Sequence, residues 1–186
     1  DQGSTESLTV ETDDNLLQYI KTDIANGALE ISTTEGADIA PTASVTYRVG
    51  IVNVTSIEMR GAGSIEVDQL AAPDIKLVLE GAGDLRVGAV EATDLDIELA
   101  GVGMIIVAGT ARHQEVTASG IGGYEASNLQ SESASIDARG STEVTVWVSD
   151  TLSITIADAA SVAFYGDPQL SQQADGVGTI TSLGDK

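Results

Sequence analysis

Basic side chains are scarce enough in this chain to name: Lys21, Arg48, Arg60, Lys76, Arg86, Arg112, Arg139 and Lys186, with His113 the one histidine. Against them stand 29 acidic residues, for a formal charge of −21. Attack on a polysaccharide needs a cation or imidazole beside a carboxylate, or two carboxylates about 5–10 Å apart. Arg60, Glu80 and Arg139 occupy equivalent places in successive repeats, but Arg60 and Arg139 lie four repeats apart, ~19 Å at one strand spacing per coil. Glu80 with Glu98 and Asp94 with Asp96 come nearest to a glycosidase pair, and so acidic a surface makes such pairs by chance. Arg112-His113, next to Glu115, reads as a solvated loop between repeats. No catalytic residue is assigned.

Binding chemistry is sparse too. Trp147 follows an inward-facing valine and points outward, and Tyr165 takes the equivalent place one repeat later. This two-ring patch is the ligand-binding candidate, suited to stacking on a glycan; cross-strand stacking that stiffens a sheet is the structural alternative. Calcium would need carboxylates stacked in one column. Glu58, Glu98 and Asp137 share a column, but Val78 and Thr117 interrupt it, and the Gly-Gly-x-Gly-x-Asp calcium repeat is absent. Without cysteine there is no thiolate site, and no metal or cofactor is assigned. The negative charge argues against nucleic acid or an anionic membrane surface as partner. No apolar stretch reaches the length of a membrane-spanning helix.

These side chains hang on a repeat. Gly61-Ala62-Gly63-Ser64-Ile65 returns as Gly81-Ala82-Gly83-Asp84-Leu85 and as Gly101-Val102-Gly103-Met104-Ile105. Weaker copies begin at Gly120 (with Gly122), Gly140, Asp158 and Gly176 (with Gly178), at spacings of 20, 20, 19, 20, 18 and 18 residues. Apolar columns flank the turn. Two before it stand Met59, Leu79, Leu99, Ala118, Ala138, Ile156 and Ala174; four before it Ile57, Leu77, Ile97, Val116, Ile136 and Ile154, then Gln172. Four after it come Ile65, Leu85, Ile105, Tyr124, Val144, Val162 and Ile180; six after it Val67, Val87, Val107, Ala126, Val146 and Phe164. Polar residues alternate between them, which is strand periodicity on both sides of a bend. Units of this length that repeat the same columns stack as coils of a parallel β-helix. A β-sandwich also spaces its turns evenly, but has no reason to keep columns in register through seven repeats. The glycines supply a corner that demands φ > 0 or close backbone approach. Thr142 and Asp158 break the pattern, so their corners should differ.

The first 55 residues are not simple copies. Leu8-Thr9-Val10 reads as a strand, and Asn15-Leu16-Leu17 as a helical turn capped by Asp13 or Asp14. Asn26-Gly27 between Tyr19–Ile24 and Ala28–Ser32 is a hairpin signal. The loop Thr33–Ala43 leads to Val45-Thr46-Tyr47, a partial coil. The expectation is one all-β domain over 1–186: strands and a hairpin cap in 1–44, about seven coils of 18–20 residues in 45–183, and a tail in 184–186. No comparable cap follows the last coil, so Val177, Ile180 and Leu183 mark an edge for self-association.

The phrases Ile57-Glu58-Met59-Arg60-Gly61-Ala62-Gly63-Ser64-Ile65, Leu79-Glu80-Gly81-Ala82-Gly83-Asp84-Leu85 and Phe164-Tyr165-Gly166-Asp167-Pro168 resemble the bacterial putative auto-transporter adhesin, head GIN domain family. The likeness runs from about Leu8 to Leu183. It implies a right-handed β-helix and an exported bacterial protein, at the cell surface, in the periplasm or outside the cell, and it carries no catalytic residues. The resulting expectation is a non-enzymatic, adhesin-like protein that binds glycan or envelope components. A structural protein whose coils stack into filaments or oligomers is the alternative, and a polysaccharide-acting enzyme comes third.

Overall fold

A computed structural model of the chain describes residues 2–34 and 45–186. The described residues form two compact units, Gly3–Val52 and Asn53–Lys186, with Gln2 joining the second.

In the first unit β1 (Ser7–Glu11) pairs antiparallel with β4 (Thr46–Gly50), Val10 opposite Tyr47. Thr46 and Tyr47 therefore start an antiparallel partner for β1 and not a partial coil, although they stand one period before Glu66 and Val67. The helical turn is a 3₁₀ turn at Leu17–Tyr19, entered from Leu16 with no side-chain cap, so Asp13 and Asp14 do not cap it. Asp13 contributes its carbonyl instead, accepting from the Leu16 amide at 2.8 Å. β2 (Ile20–Ala25) and β3 (Ala28–Thr33) form the hairpin, with Asn26 and Gly27 at φ 52° and 80°. Two left-handed residues in a two-residue loop match the right-handed twist of the strands, which is why Asn-Gly is selected there. The loop expected over Thr33–Ala43 lies, from residue 35 on, outside the described residues.

The second unit is a parallel β-solenoid of about 6 turns, one fewer than the seven glycine phrases suggest. Its strands are β5 (Ser56–Met59), β6 (Ala62–Ala71), β7 (Asp74–Leu79), β8 (Ala82–Leu99), β9 (Val102–Ala118), β10 (Ile121–Ala138), β11 (Ser141–Asp158), β12 (Ser161–Tyr165), β13 (Gln169–Gly176) and β14 (Thr179–Ser182). Each coil lies on the next at one repeat: Leu85 on Ile65, Ile105 on Leu85, Tyr124 on Ile105, Val144 on Tyr124 and Val162 on Val144. The four apolar columns face inward through Phe164 as their alternation requires, whereas Ala174 of the last copy is exposed; two further positions join the inward set. Ile75, Leu95, Ala134 and Leu152 fill one, and Leu70, Val90, Leu129 and Val148 fill the other beside the second corner. Strands run through that corner, so His113 lies inside β9 and not on a loop.

Glycine serves the first corner in two ways. A Cβ at Gly81 would sit 1.9 Å from the Gly61 carbonyl oxygen. There the need is for space alone, because the coils touch backbone to backbone. Gly83 adds a φ of 139°. In later coils the left-handed residue moves to the head of the phrase, at Gly140 (φ 72°) and Asp158 (φ 59°). Thr142 can then stand where Gly122 stood, buried, with its Oγ1 donating to the Arg139 carbonyl at 3.0 Å.

Candidate ligand-binding face

The repeat shortens from 20 to 18 residues between β10 and β11, and the surplus must go somewhere. Ala126 pairs with Val146, but Gln130 is the residue opposite Trp147, so Ser127, Asn128 and Leu129 have no partner in β11. Leu129 turns into the core, while Asn128 remains exposed. The Ser127 amide is held by Glu125 Oε1 at 3.0 Å. A small shelf of oxygen atoms thus stands on the outer face of β10.

The rings stand next to that shelf. Trp147 lies between the fully buried Val146 and Val148, which sends its side chain outward, and it pairs in register with Tyr165 on β12. Both rings are partly exposed. Their neighbour is a side chain that the spacing of residues did not reveal. Lys186 places Nζ 5.6 Å from the Trp147 ring centre and 5.0 Å from that of Tyr165. The same ammonium donates to Asn128 Oδ1 at 3.0 Å and to the Ser127 carbonyl. Its segment is guided there by backbone bonds: Leu183 N–H to the Phe164 carbonyl at 2.8 Å, and Gly166 N–H to the Gly184 carbonyl at 2.9 Å.

The other cations of this unit meet carboxylates. Arg60 bonds Glu58 at 2.7 Å and reaches Glu80 at 3.2 Å; Arg86 bonds Asp84 at 2.7 Å, and Arg112 approaches Glu132 at 3.9 Å. Arg139 grips Asp137 through two bonds of 2.9 and 2.7 Å, which hold that carboxyl below its usual range. Lys76 donates to Glu98, and to Asp96 at 2.9 Å; these two bonds raise its pKa well above the ordinary lysine value. The Glu58, Glu98 and Asp137 carboxylates are each committed to a cation, with Val78 and Thr117 between them in register. Among the described residues no group of three or more His, Cys, Asp or Glu side chains is placed to hold a metal ion.

His113 lies in a shallow depression of about 240 Å³ shared with Asp74, Lys76, Asp94 and Glu115. In register it has Asp94 on one side and Ser133 on the other, and its Nδ1 is 2.9 Å from Ser133 Oγ. A serine, an imidazole and a carboxylate in one column evoke nucleophilic catalysis. That chemistry also needs donors aimed at a developing oxyanion; around His113, β9 is in parallel register with β8 on one side and β10 on the other. Glu80 is taken up by Arg60, and Asp96 by Lys76.

At the far end, among the described residues, β13 pairs only with β11 and β14 only with β12. Val177 is 84% exposed and Leu183 44%, whereas Ile180 packs against the core. Leu170, 41% exposed on β13, belongs to this edge as well, and its place six before Gly176 in an inward column was the available signal.

No helix among the described residues is long and apolar enough to cross a membrane. The family model for "putative auto-transporter adhesin, head GIN domain" matches residues 1–168, and the chain belongs to that family. A putative adhesin from Bacteroides fragilis superposes with a TM-score of 0.92 at 20% identity, over 96% of this chain and 83% of that one. A putative lipid binding protein from Parabacteroides distasonis gives 0.74 at 19% identity, over 98% of this chain and 86% of that one. A putative adhesin from Parabacteroides merdae gives 0.74 at 18% identity, over 98% and 85%. At these identities the likeness speaks for the fold. No curated protein matches the chain.

Proposed function

We propose that this member of the head GIN domain family is an exported, adhesin-like binding protein that engages an envelope or extracellular component without catalysis. The family and its adhesin-named structural neighbours support a binding role at a surface. The observation that carries the reading to a site is the Trp147–Tyr165 pair. Two rings side by side in register on a sheet, with a shelf of oxygen atoms beside them, offer flat apolar contact and hydrogen bonds together. That combination suits sugar faces and extended chains alike. The test is Trp147 fluorescence against a panel of envelope glycans and surface proteins. A ligand should shift the emission of the native chain, and Trp147→Ala, followed by isothermal calorimetry because Trp147 is the one tryptophan, should lose binding with its melting temperature nearly intact. Binding that survives Trp147→Ala would move the site elsewhere.

The one-sided pairing of β13 and β14 favours a second reading, in which this end of the solenoid joins another chain. Unpaired strand edges are templates for strand addition. Head-to-tail addition would propagate into filaments, and tail-to-tail addition would close as a dimer.

A further inference from the structure

The ring pair holds Lys186, and the way it does so points to a ligand class. Two aromatic faces supply the quadrupole attraction that a cation seeks, and two neutral oxygens accept its N–H donors. The five cations Arg60, Lys76, Arg86, Arg112 and Arg139 lie on carboxylates. Lys186, on the same acidic surface, lies on rings, a carbonyl and an amide. A position that draws an ammonium despite so many competing carboxylates is shaped for it. The oxygens come from the longer of two stretches of β10 left unpaired by β11, so the shelf costs the ladder its regularity. The occupant is also presented in a definite manner, from an extended segment bonded to Phe164 and Gly166 through its backbone.

We propose that Trp147, Tyr165, Ser127 and Asn128 form a lysine-recognition site. Residues 183–186 fill it in the free protein, and a lysine-bearing extended segment of another polypeptide displaces them. This rests on the reading that the Trp147–Tyr165 face binds ligand, and it names the group recognised. The charge of −21 favours such a partner at long range. Strand pairing to Phe164–Gly166 would supply affinity, and the caged ammonium would supply specificity. Lys186, as a tethered competitor, lowers apparent affinity in proportion to its local concentration.

The experiment titrates Trp147 fluorescence with the acetylated, amidated tetrapeptide that copies residues 183–186, and with its norleucine counterpart. The proteins are the native chain, Lys186→Ala, and Lys186→Ala combined with Trp147→Ala, each checked for an unchanged melting temperature. Lys186→Ala should bind the lysine peptide about tenfold more tightly than the native chain, given a tethered competitor at millimolar effective concentration. The norleucine peptide should bind at least tenfold more weakly, by about 1.4 kcal/mol, and the Trp147→Ala protein, which lacks the chain's one tryptophan and is titrated by isothermal calorimetry instead, should show no binding. Equal affinity of native and Lys186→Ala proteins would overturn the proposal, as would equal affinity for the two peptides. Free glucosamine matching the lysine peptide would overturn the polypeptide assignment. A neutral glycan that binds through Trp147 while the lysine peptide does not would refute this inference and leave the broader reading standing.

Discussion

The Tyr124 hydroxyl donates to Gln114 Oε1 at 2.8 Å inside a mostly aliphatic core. Gln114 Nε2 donates onward to Ser131 Oγ at 2.8 Å, and Ser131 Oγ to the Trp147 carbonyl at 3.1 Å. Gln114 is fully buried, so each of its polar atoms would be costly if left unpaired. Room for the phenol comes from Ala118, Ala126, Ala134 and Ala138, in columns where other coils carry leucine, isoleucine or valine. Tyr124→Phe should therefore cost about 1–3 kcal/mol by stranding Gln114 Oε1. Gln114→Leu should cost as much by stranding the Tyr124 hydroxyl, while Ser131 Oγ keeps its bond to the Trp147 carbonyl. Because the two act as one unit, the double variant should lose less than the sum. Denaturant titration of the four proteins measures the coupling, and strict additivity would show that the network is not cooperative.

The same burial makes stability depend on alkali. Burial pushes the Tyr124 phenol far above its ordinary value of 10.0. Its neutral form is thus kept in the folded state, while the unfolded chain ionises near pH 10. Above that point the unfolded state binds fewer protons than the folded one, so stability falls as pH rises. The contribution is fully present below pH ~10 and is lost progressively above it. Melting curves from pH 8 to 11 should fall for the native protein and fall less steeply for Tyr124→Phe. Parallel curves would remove Tyr124 from the account.

Much of this architecture is legible in residue spacing, because a solenoid repeats one steric problem. The glycine phrase announces a corner where backbone meets backbone, and alternation about it identifies the inward columns from Met59 to Phe164. The Asn26-Gly27 hairpin is legible for a similar reason: two left-handed residues are needed and two permissive ones are present. What escaped depends on contacts between coils. Gln114 occupies an inward column whose other buried members are Ile75, Leu95, Ala134 and Leu152, and the folded neighbours Tyr124 and Ser131 explain a glutamine there. The shelf at Ser127–Leu129 was foreshadowed by the drop in period, but not its position. Lys186 follows the last repeat, where no column assigns it a place. Thr46-Tyr47 misled because periodicity cannot say whether a strand pairs parallel with a coil or antiparallel with β1.

The corner supports a graded prediction. Gly83→Ala and Gly103→Ala would each place a Cβ 1.8 Å from a carbonyl oxygen of the preceding coil, at φ of 139° and 143°. Gly81→Val and Gly101→Val meet the same kind of obstruction, at 1.9 and 2.1 Å. All four should lose more than about 3 kcal/mol, since backbone and not a flexible side chain must yield. Ser64→Val, at an exposed position between Gly63 and Ile65, should change stability by less than about 0.5 kcal/mol. Thermal melts decide, and comparably small shifts at all five positions would mean that the corner tolerates a side chain.

The open edge invites the last prediction. Leu170, Val177 and Leu183 are exposed beside strands that pair on one side only. If this end joins a second chain, apolar contact and backbone pairing favour association while a charge of −21 on each copy opposes it. Salt screens the repulsion, with a Debye length of about 10 Å at 0.1 M and about 3 Å at 1 M. Association should therefore strengthen as salt rises, the reverse of an interface held by ion pairs. Light scattering across a salt series should show a rising mass that stops at twice the monomer for tail-to-tail closure, or continues for head-to-tail stacking. Leu170→Lys with Val177→Lys should hold the protein monomeric at every salt concentration without lowering its melting temperature by more than a few degrees. A native chain that stays strictly monomeric at high concentration in 1 M salt would leave the exposed edge without a partner of its own kind.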